Sequence, residues 1–205
     1  MADASRAQRV LFLPGASGVG RFWQPVIDRL TLPVEHVAFD YPGFGGNPPD
    51  PSLVSLEDLA SWIETYIDRP VDILAQSMGG VMAMQLALKH HRLVRHLVLT
   101  GTSGGVSMSS FDPEAWRAAY RQGAPGNPDW LDDDRTALSK RIANLPIPCL
   151  LIFGTQDATA PLAVGQHLER LLPNARLVAV DTDSHFFVRD LPDQIAPHIQ
   201  MFLDT

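Results

Sequence analysis

The sequence has little of what marks several large classes of protein. Its 205 residues include a single cysteine, so an internal disulfide is excluded. No apolar run reaches the roughly 18 residues that a membrane-spanning helix needs, and the first one, in "RVLFLPG", is broken too early for a secretory signal. Acidic residues (23) outnumber Lys and Arg (16), for a net charge of -7. That balance argues against nucleic acid or an anionic membrane surface as the main partner, and we expect a soluble, cytoplasmic protein.

What the chain does have is alternation between strand-like and helix-like segments. The strand candidates are nearly continuous apolar runs, as in a parallel sheet covered on both faces. They are Arg9–Leu13, Val34–Asp40, Val71–Ala75, Leu93–Thr100, Cys149–Phe153 and Ala175–Asp181. The helix candidates between them are Phe22–Leu30, Ser55–Tyr66 (with Ser55 as a possible cap), Met78–His90, Leu162–Leu172 and Leu191–Leu203. The pattern predicts one α/β domain over residues 1–205, with a buried, inert Cys149 in its fifth strand.

One connection is much longer than the others. Residues 101–148 contain no strand candidate, but two helices are predicted, at Pro113–Arg121 and near Arg135–Asn144. A long insertion in a compact domain is often a binding loop, so we expect a short lid over approximately residues 103–135. The alternative is that the second helix is the ordinary crossover and the rest a surface excursion.

The segment "AQSMGG" at residues 75–80 lies between a strand-like and a helix-like run. It is close to G-x-S-x-G, the sharp strand-to-helix turn that exposes a nucleophilic serine, with Ala75 in place of the first glycine. Small residues are needed there because the backbone is strained. The alternative is that Ser77 simply caps the helix that follows.

A serine nucleophile needs a base, and the base needs an acid that orients it. Catalytic groups collect at the carboxyl ends of parallel strands. The fifth strand runs into "GTQDATAP", which places Asp157 there, and the sixth runs into "DTDSHFF", which places His185 there. We interpret the other histidines, including His90, His91 and His96, as surface or interface residues. The competing acids Asp181 and Asp183 are expected to be turn residues, and Asp40 a loop anchor.

The loop after the first strand, "LPGASGVGRFW", offers main-chain N–H groups for an oxyanion hole. We assign the two donors to the N–H groups of Ala16 and Met78. A phosphate-binding loop is a weaker interpretation, since "GASGVG" is not G-x-G-x-x-G and no Gly-Lys-Ser/Thr follows.

Taken together, these segments resemble the α/β-hydrolase superfamily, in its single-domain serine esterase-like branch, from Arg9 to about Leu203. The resemblance rests on "LPGASG…FW", "FDYPGFGGNP", "AQSMGG", "FGTQDATAP" and "SHFF", in that order. It implies an α/β-hydrolase fold with a mostly parallel sheet of about six strands, helices on both faces and a short lid. It also implies a catalytic triad of Ser77, His185 and Asp157, with no cofactor and no metal.

The chain departs from the pattern of that superfamily in three places. Pro14-Gly15 stands where members usually carry His-Gly, Ala75 replaces the leading glycine of the elbow, and the insertion is shorter than a multi-helix cap. Because the proposed donor lies one residue beyond Gly15, we expect the oxyanion hole to survive the first change.

The predicted function is hydrolysis of carboxylic esters or related acyl compounds through an acyl-enzyme, on a small-molecule substrate. Alternatives are a C–C bond hydrolase or lyase acting on a carboxylate-bearing substrate, with Arg21 as the candidate partner of the carboxylate, and a ligand sensor that keeps the fold. By loop position alone, the acyl pocket is assigned to six residues, any of which could instead be ordinary packing: Phe22, Trp23, Phe44, Met108, Trp116 and Phe186.

Overall fold

The chain forms one six-stranded sheet in which every strand pair is parallel. The computed structural model describes residues 7–108, 127–133 and 137–205. The strand order is β2-β1-β3-β4-β5-β6. The strands are β1 (Arg9–Leu13), β2 (Glu35–Ala38), β3 (Val71–Gln76), β4 (Val94–Thr100), β5 (Cys149–Gly154) and β6 (Ala175–Val180). The predicted α/β class and six-stranded sheet are confirmed.

The sheet is apolar because both of its faces are covered. All residues of β1, β3 and β5 are buried, whereas the edge strands β2 and β6 are partly exposed. Cys149 is wholly buried in β5, as predicted, and burial raises the pKa of its thiol to about 12.

Helices lie on both faces of the sheet. They are α1 (Gln24–Ile27), α2 (Leu56–Glu64), α3 (Met78–Lys89), α4 (Ser139–Ile142), α5 (Leu162–Leu171), α6 (Phe187–Asp190) and α7 (Pro192–Leu203). Helices α2 to α5 contribute to one apolar core and α1, α6 and α7 to the other, while alternate residues of the strands face each. The predicted cap of α2 is present, because Ser55 Oγ accepts a hydrogen bond from the Asp58 N–H at 3.1 Å. None of the helices in the described ranges is long and apolar enough to cross a bilayer.

Two predicted helices differ from the structure. The predicted run Phe22–Leu30 is a 3-10 turn, Gly20–Trp23, followed by the four-residue α1. Pro25 has no N–H to donate and is compatible only with a first helical turn, which is where it lies. The helix predicted near Arg135–Asn144 is the shorter α4, and residues 134–136 lie outside the described ranges. The helix predicted at Pro113–Arg121, and with it most of the expected lid, also lies outside them.

The interpretation of His96 as a surface or interface residue is wrong. His96 lies in β4 directly opposite Asp72 of β3, and both are about 4% exposed. The His96 Nδ1 and Asp72 Oδ1 atoms are 2.9 Å apart. Each of the two polar side chains provides a hydrogen-bond partner for the other across the paired strands, which allows both to be buried.

Candidate active site

Ser77 occupies the sharp turn between β3 and α3. Its φ of 52° and ψ of -121° make it the one non-glycine residue with positive φ in the parts of the chain that the structure describes. Such a backbone costs roughly 1–3 kcal/mol and persists only where its surroundings enforce it. Here the Ser77 N–H donates to the Thr100 carbonyl at 3.0 Å and the Thr102 hydroxyl donates to the Ser77 carbonyl. The Ser77 side chain makes no capping bond to α3, so the capping alternative is wrong.

The small residues after Ser77 are required by close main-chain contacts. A Cβ on Gly79 would lie 2.5 Å from the Pro14 carbonyl oxygen and 2.6 Å from that of Leu13, and a Cβ on Gly80 would overlap Thr102. Ala75 differs, because its methyl group is fully buried in the core between β1 and β4. The elbow therefore depends on glycine after Ser77 and accommodates alanine before it.

Ser77, His185 and Asp157 meet at the carboxyl edge of the sheet. The His185 Nε2 lies 3.0 Å from the Ser77 Oγ, and the His185 Nδ1 lies 2.7 Å from the Asp157 Oδ2. The side chain of His185 is 14% exposed and that of Asp157 is 1% exposed. The other oxygen of Asp157 accepts hydrogen bonds from the N–H groups of Thr159 and Ala160 at 2.8 and 3.1 Å. The carboxylate is thus fixed on both sides and is buried, whereas Ser77 and His185 are both partly exposed.

The oxyanion loop, residues 14–18, lies against Ser77. A Cβ on Gly15 would be 3.0 Å from the Ser77 Cβ. The Gly18 N–H donates to the Gly15 carbonyl at 2.9 Å. In a trans peptide the N–H points opposite to the C=O, so this bond turns the Ala16 N–H away from the inside of the turn.

Two side chains hold the oxyanion loop from outside. The hydroxyl of Tyr41 donates to the Pro14 carbonyl at 3.0 Å, and burial raises the pKa of Tyr41 well above its usual value. The amide of Asn127 donates to the Ala16 carbonyl at 2.6 Å. On the other side of Ser77, Met78 is the first residue of α3, where an α-helix leaves its N–H groups without partners in the helix. Of the two assigned donors, Ala16 follows the glycine that lies against Ser77, and Met78 follows Ser77 itself.

Sequence reasoning missed Gln76, the last residue of β3. Its side-chain amide nitrogen lies 3.2 Å from His185 Nε2 and 3.3 Å from the His185 carbonyl oxygen, and the residue is 3% exposed. Its place beside Ser77 in the motif was the one signal that could have drawn attention to it.

The six residues assigned to the acyl pocket lie in different environments. Phe186 is 47% exposed, and its ring lies 5.8 Å from that of His185 and 6.5 Å from that of Phe22. Trp23 is fully buried in the core against Phe12, where it offers no surface to a ligand.

Of the other three pocket residues, two pack into the protein and the third lies outside the described residues. Phe44 is fully buried behind the oxyanion loop, at the point where a Cβ on Gly18 would meet it. Met108 packs partly buried against the core that contains α2 and α3. Trp116 lies outside the described residues.

The competing acids have other partners or stand in solvent. Asp40 accepts the Gly20 N–H at 2.8 Å, and Asp181 accepts from Thr155 and Gln156, each at 3.1 Å. Asp183 is exposed. Within residues 7–108, 127–133 and 137–205, no group of three or more His, Cys, Asp or Glu side chains is arranged to hold a metal ion.

Comparison with known proteins gives a family from the sequence and a likeness of fold from the structure. A family model described as the alpha/beta hydrolase family matches residues 10–141. A pimeloyl-[acyl-carrier protein] methyl ester esterase of Neisseria meningitidis is 27% identical, over 90% of this chain and 88% of that protein. A poly(3-hydroxyalkanoate) depolymerase of Ectopseudomonas oleovorans is 25% identical, over 87% and 78%. An esterase of Exiguobacterium antarcticum superposes with a TM-score of 0.79 at 16% identity, over 98% of this chain and 93% of that one, a likeness of fold alone.

Proposed function

The chain belongs to the alpha/beta hydrolase family and is a hydrolase, and we propose that it cleaves carboxylic esters or closely related acyl compounds through an acyl-enzyme on Ser77. The observation that carries the proposal is the line of contacts from Ser77 Oγ through His185 to Asp157, at 3.0 and 2.7 Å. These are hydrogen-bonding distances between a nucleophile, a base and the acid that orients the base.

Acylation begins with the Ser77 hydroxyl. As Ser77 Oγ attacks the ester carbonyl, His185 Nε2 takes its proton, and the Asp157 carboxylate stabilises the imidazolium through Nδ1–H. Collapse of the tetrahedral intermediate breaks the bond to the alcohol oxygen, which takes the proton from Nε2 and leaves. Water then attacks the acyl-enzyme with His185 again as the base, which releases the acid and restores Ser77.

The negative charge of each tetrahedral intermediate falls on the former carbonyl oxygen. We assign its stabilisation to the N–H group of Ala16, in the loop that lies against Ser77, and to that of Met78, the residue after Ser77. Fixed donors of this kind contribute roughly 3 kcal/mol each, since they are aimed at the charge before it develops.

The substrate we propose is a small acyl compound. The exposed ring of Phe186 offers an aromatic surface beside His185, which suits an apolar group on either side of the ester, and the buried ring of Phe22 packs against it. A relative named as a methyl ester esterase supports an ester as the bond that is cleaved. Arg21, the candidate partner of a substrate carboxylate in C–C bond hydrolysis, is exposed, and this gives that alternative no support. The cytoplasmic location expected from the sequence stays a prediction.

The proposal is tested by labelling the protein with a fluorophosphonate probe and by steady-state assays on p-nitrophenyl esters. Ser77→Ala removes the nucleophile, so labelling should disappear and kcat should fall at least about 10⁴-fold. Ser61→Ala, which changes an exposed serine of α2, should label and turn over as the unchanged protein does. Persistent labelling or ester turnover in Ser77→Ala would rule out the assignment. Turnover of carboxylate-bearing C–C substrates without ester turnover would favour the alternative reaction.

A further inference from the structure

We propose that Gln76 is a positioning residue for His185. It fixes the imidazole so that, among the groups the structure describes, the serine oxygen, or a leaving group at that place, is the acceptor for the proton on Nε2. The inference rests on the proposed function of Ser77 and His185. Its basis is a buried neutral amide in contact with both the ring and the main chain of the histidine.

The Gln76 side chain contacts two loops at once, the loop that carries His185 and the loop after β1. Its amide nitrogen lies 3.3 Å from the His185 carbonyl oxygen and 3.2 Å from His185 Nε2. A Cβ on Gly15 would overlap the Gln76 amide oxygen, so the side chain also fills the space that glycine leaves in the oxyanion loop. Gln76 therefore touches the base and the oxyanion loop from the residue next to the nucleophile.

The His185 carbonyl settles which end of the amide faces the ring. A carbonyl oxygen only accepts hydrogen bonds, so the group 3.3 Å from it has to be the NH2 and not the oxygen of Gln76. The same NH2 is then the group 3.2 Å from His185 Nε2. The amide presents donors, and no acceptor, to that nitrogen.

The tautomer of His185 follows from the groups on its two nitrogens. Nδ1 lies 2.7 Å from the Asp157 carboxylate, which only accepts, so Nδ1 carries the hydrogen in the neutral ring. Nε2 then has its lone pair toward two donors, the Ser77 hydroxyl at 3.0 Å and the Gln76 amide at 3.2 Å. Both neighbours select the form of the ring that can accept the serine proton.

The same arrangement directs the proton once it has moved. A protonated Nε2 faces the N–H of Gln76, with which it cannot bond, so the remaining acceptor is the oxygen at the place of Ser77 Oγ. Among the residues that the structure describes, the charged group paired with the ring is Asp157. On the element that follows, Arg189 lies over the Phe186 ring and pairs with Asp190 at 2.8 Å. The amide of Gln76 is neutral, whereas a glutamate at this position would add a negative charge beside the ring.

Two variants separate positioning from simple packing. Gln76→Met keeps the length of the side chain and removes both donors, and we expect kcat on p-nitrophenyl acetate to fall about tenfold with KM within about twofold, as is typical of a hydrogen bond that positions a reacting group. Gln76→Glu keeps the shape and replaces the donors with a carboxylate that can hold the proton on Nε2. We expect the acid limb of its kcat/KM profile to move up by about one pH unit, because an opposite charge in contact with an imidazolium stabilises the protonated ring.

The matched control is Gln85→Met, the same change at a partly buried glutamine of α3 whose side-chain oxygen has no hydrogen-bond partner in the part of the chain that the structure describes. Its kcat and acid limb should be unchanged, and thermal unfolding is recorded for every variant. Unchanged kcat in Gln76→Met together with an unmoved acid limb in Gln76→Glu would overturn the proposal. If Gln76→Met does not fold, the acid limb of Gln76→Glu decides alone. Ser77→Ala is assayed in parallel: ester turnover that survives in it overturns the proposed function itself, whereas loss there with normal Gln76 variants overturns only the role of Gln76.

Discussion

At the scale of single residues, Gly79 sets how closely the elbow approaches β1. Gly79→Ala would place a Cβ 2.5 Å from the Pro14 carbonyl oxygen, so either Ser77 or the oxyanion loop has to move. A misplacement of about 1 Å at a reacting group costs on the order of a hundredfold. We expect kcat/KM to fall at least that far, measured with p-nitrophenyl esters and with the rate of fluorophosphonate labelling.

Ala75→Gly is the control for that substitution. It removes one buried methyl group and restores the glycine common at this point of the motif, so activity should stay within about twofold. Stability should drop by roughly 1 kcal/mol, seen in urea unfolding. Full activity in Gly79→Ala would show that the elbow has room that the structure does not give it.

For some residues of the candidate site, chemical type and place in the sequence were enough to predict where the side chain lies, and for others they were not. The closeness of Ser77, Asp157 and His185 was predictable because each chemical type follows a strand at its carboxyl end, where topology brings distant residues together. Gln76 was missed because a glutamine at the end of a strand has no distinctive chemistry until its neighbours are known. Trp23 was assigned to the pocket by its place in a loop, yet its ring packs into the core beneath that loop. Which way a loop side chain points depends on packing, and local sequence does not carry that information.

At the scale of elements, Asn127 ties the long connection between β4 and β5 to the oxyanion loop. Its amide donates to the Ala16 carbonyl at 2.6 Å. The N–H that we assign to the oxyanion belongs to the same residue. Asn127→Ala frees that peptide, so we expect kcat to fall about tenfold, the effect of weakening one oxyanion donor in part.

The control is Asn174→Ala, which removes a similar bond, 2.7 Å from the asparagine amide to the Pro146 carbonyl, just before β6 begins. That bond lies at the amino edge of the sheet, so its loss should leave kcat unchanged. Equal kcat in the two variants would mean that the connection does not help to place the donor. Thermal unfolding of both variants checks that the comparison is between folded proteins.

Elements were predictable where hydrophobic pattern decides them. Strands β1, β3 and β5 read as continuous apolar runs because both of their sides are buried. The helix expected from Phe22 was predicted from apolar spacing alone, and this was wrong. Pro25 has to lie in a first helical turn, so the helix cannot begin at Phe22. The length of α4 depends on the path of the chain between this helix and β5, and the hydrophobic periodicity of the sequence does not determine that path.

At the scale of the whole molecule, two apolar cores share one sheet. Leu59 of α2 belongs to one core and Ile199 of α7 to the other, and both are fully buried. Because alternate residues of the same strands serve both cores, we propose that residues 1–205 behave as a single domain.

Leu59→Ala and Ile199→Ala test this. Each should cost about 2–5 kcal/mol through the cavity that it leaves. In each case tryptophan fluorescence and far-UV circular dichroism should give one coincident unfolding transition at a lower temperature. A second transition in either variant, seen by one probe alone, would show that the two faces unfold separately.

The separation of Ser77 and His185 along the chain has a consequence for folding. The two residues are 108 positions apart, and Asp157 and His185 follow the strands at one side of the sheet, β5 and β6. During synthesis the elbow is made long before His185, the base that we propose, so a growing chain carries Ser77 without it. Parallel strands that join through such distant contacts assemble slowly. Recovery of the ability to react with a fluorophosphonate should therefore report when β6 has docked beside β5 in a refolding experiment.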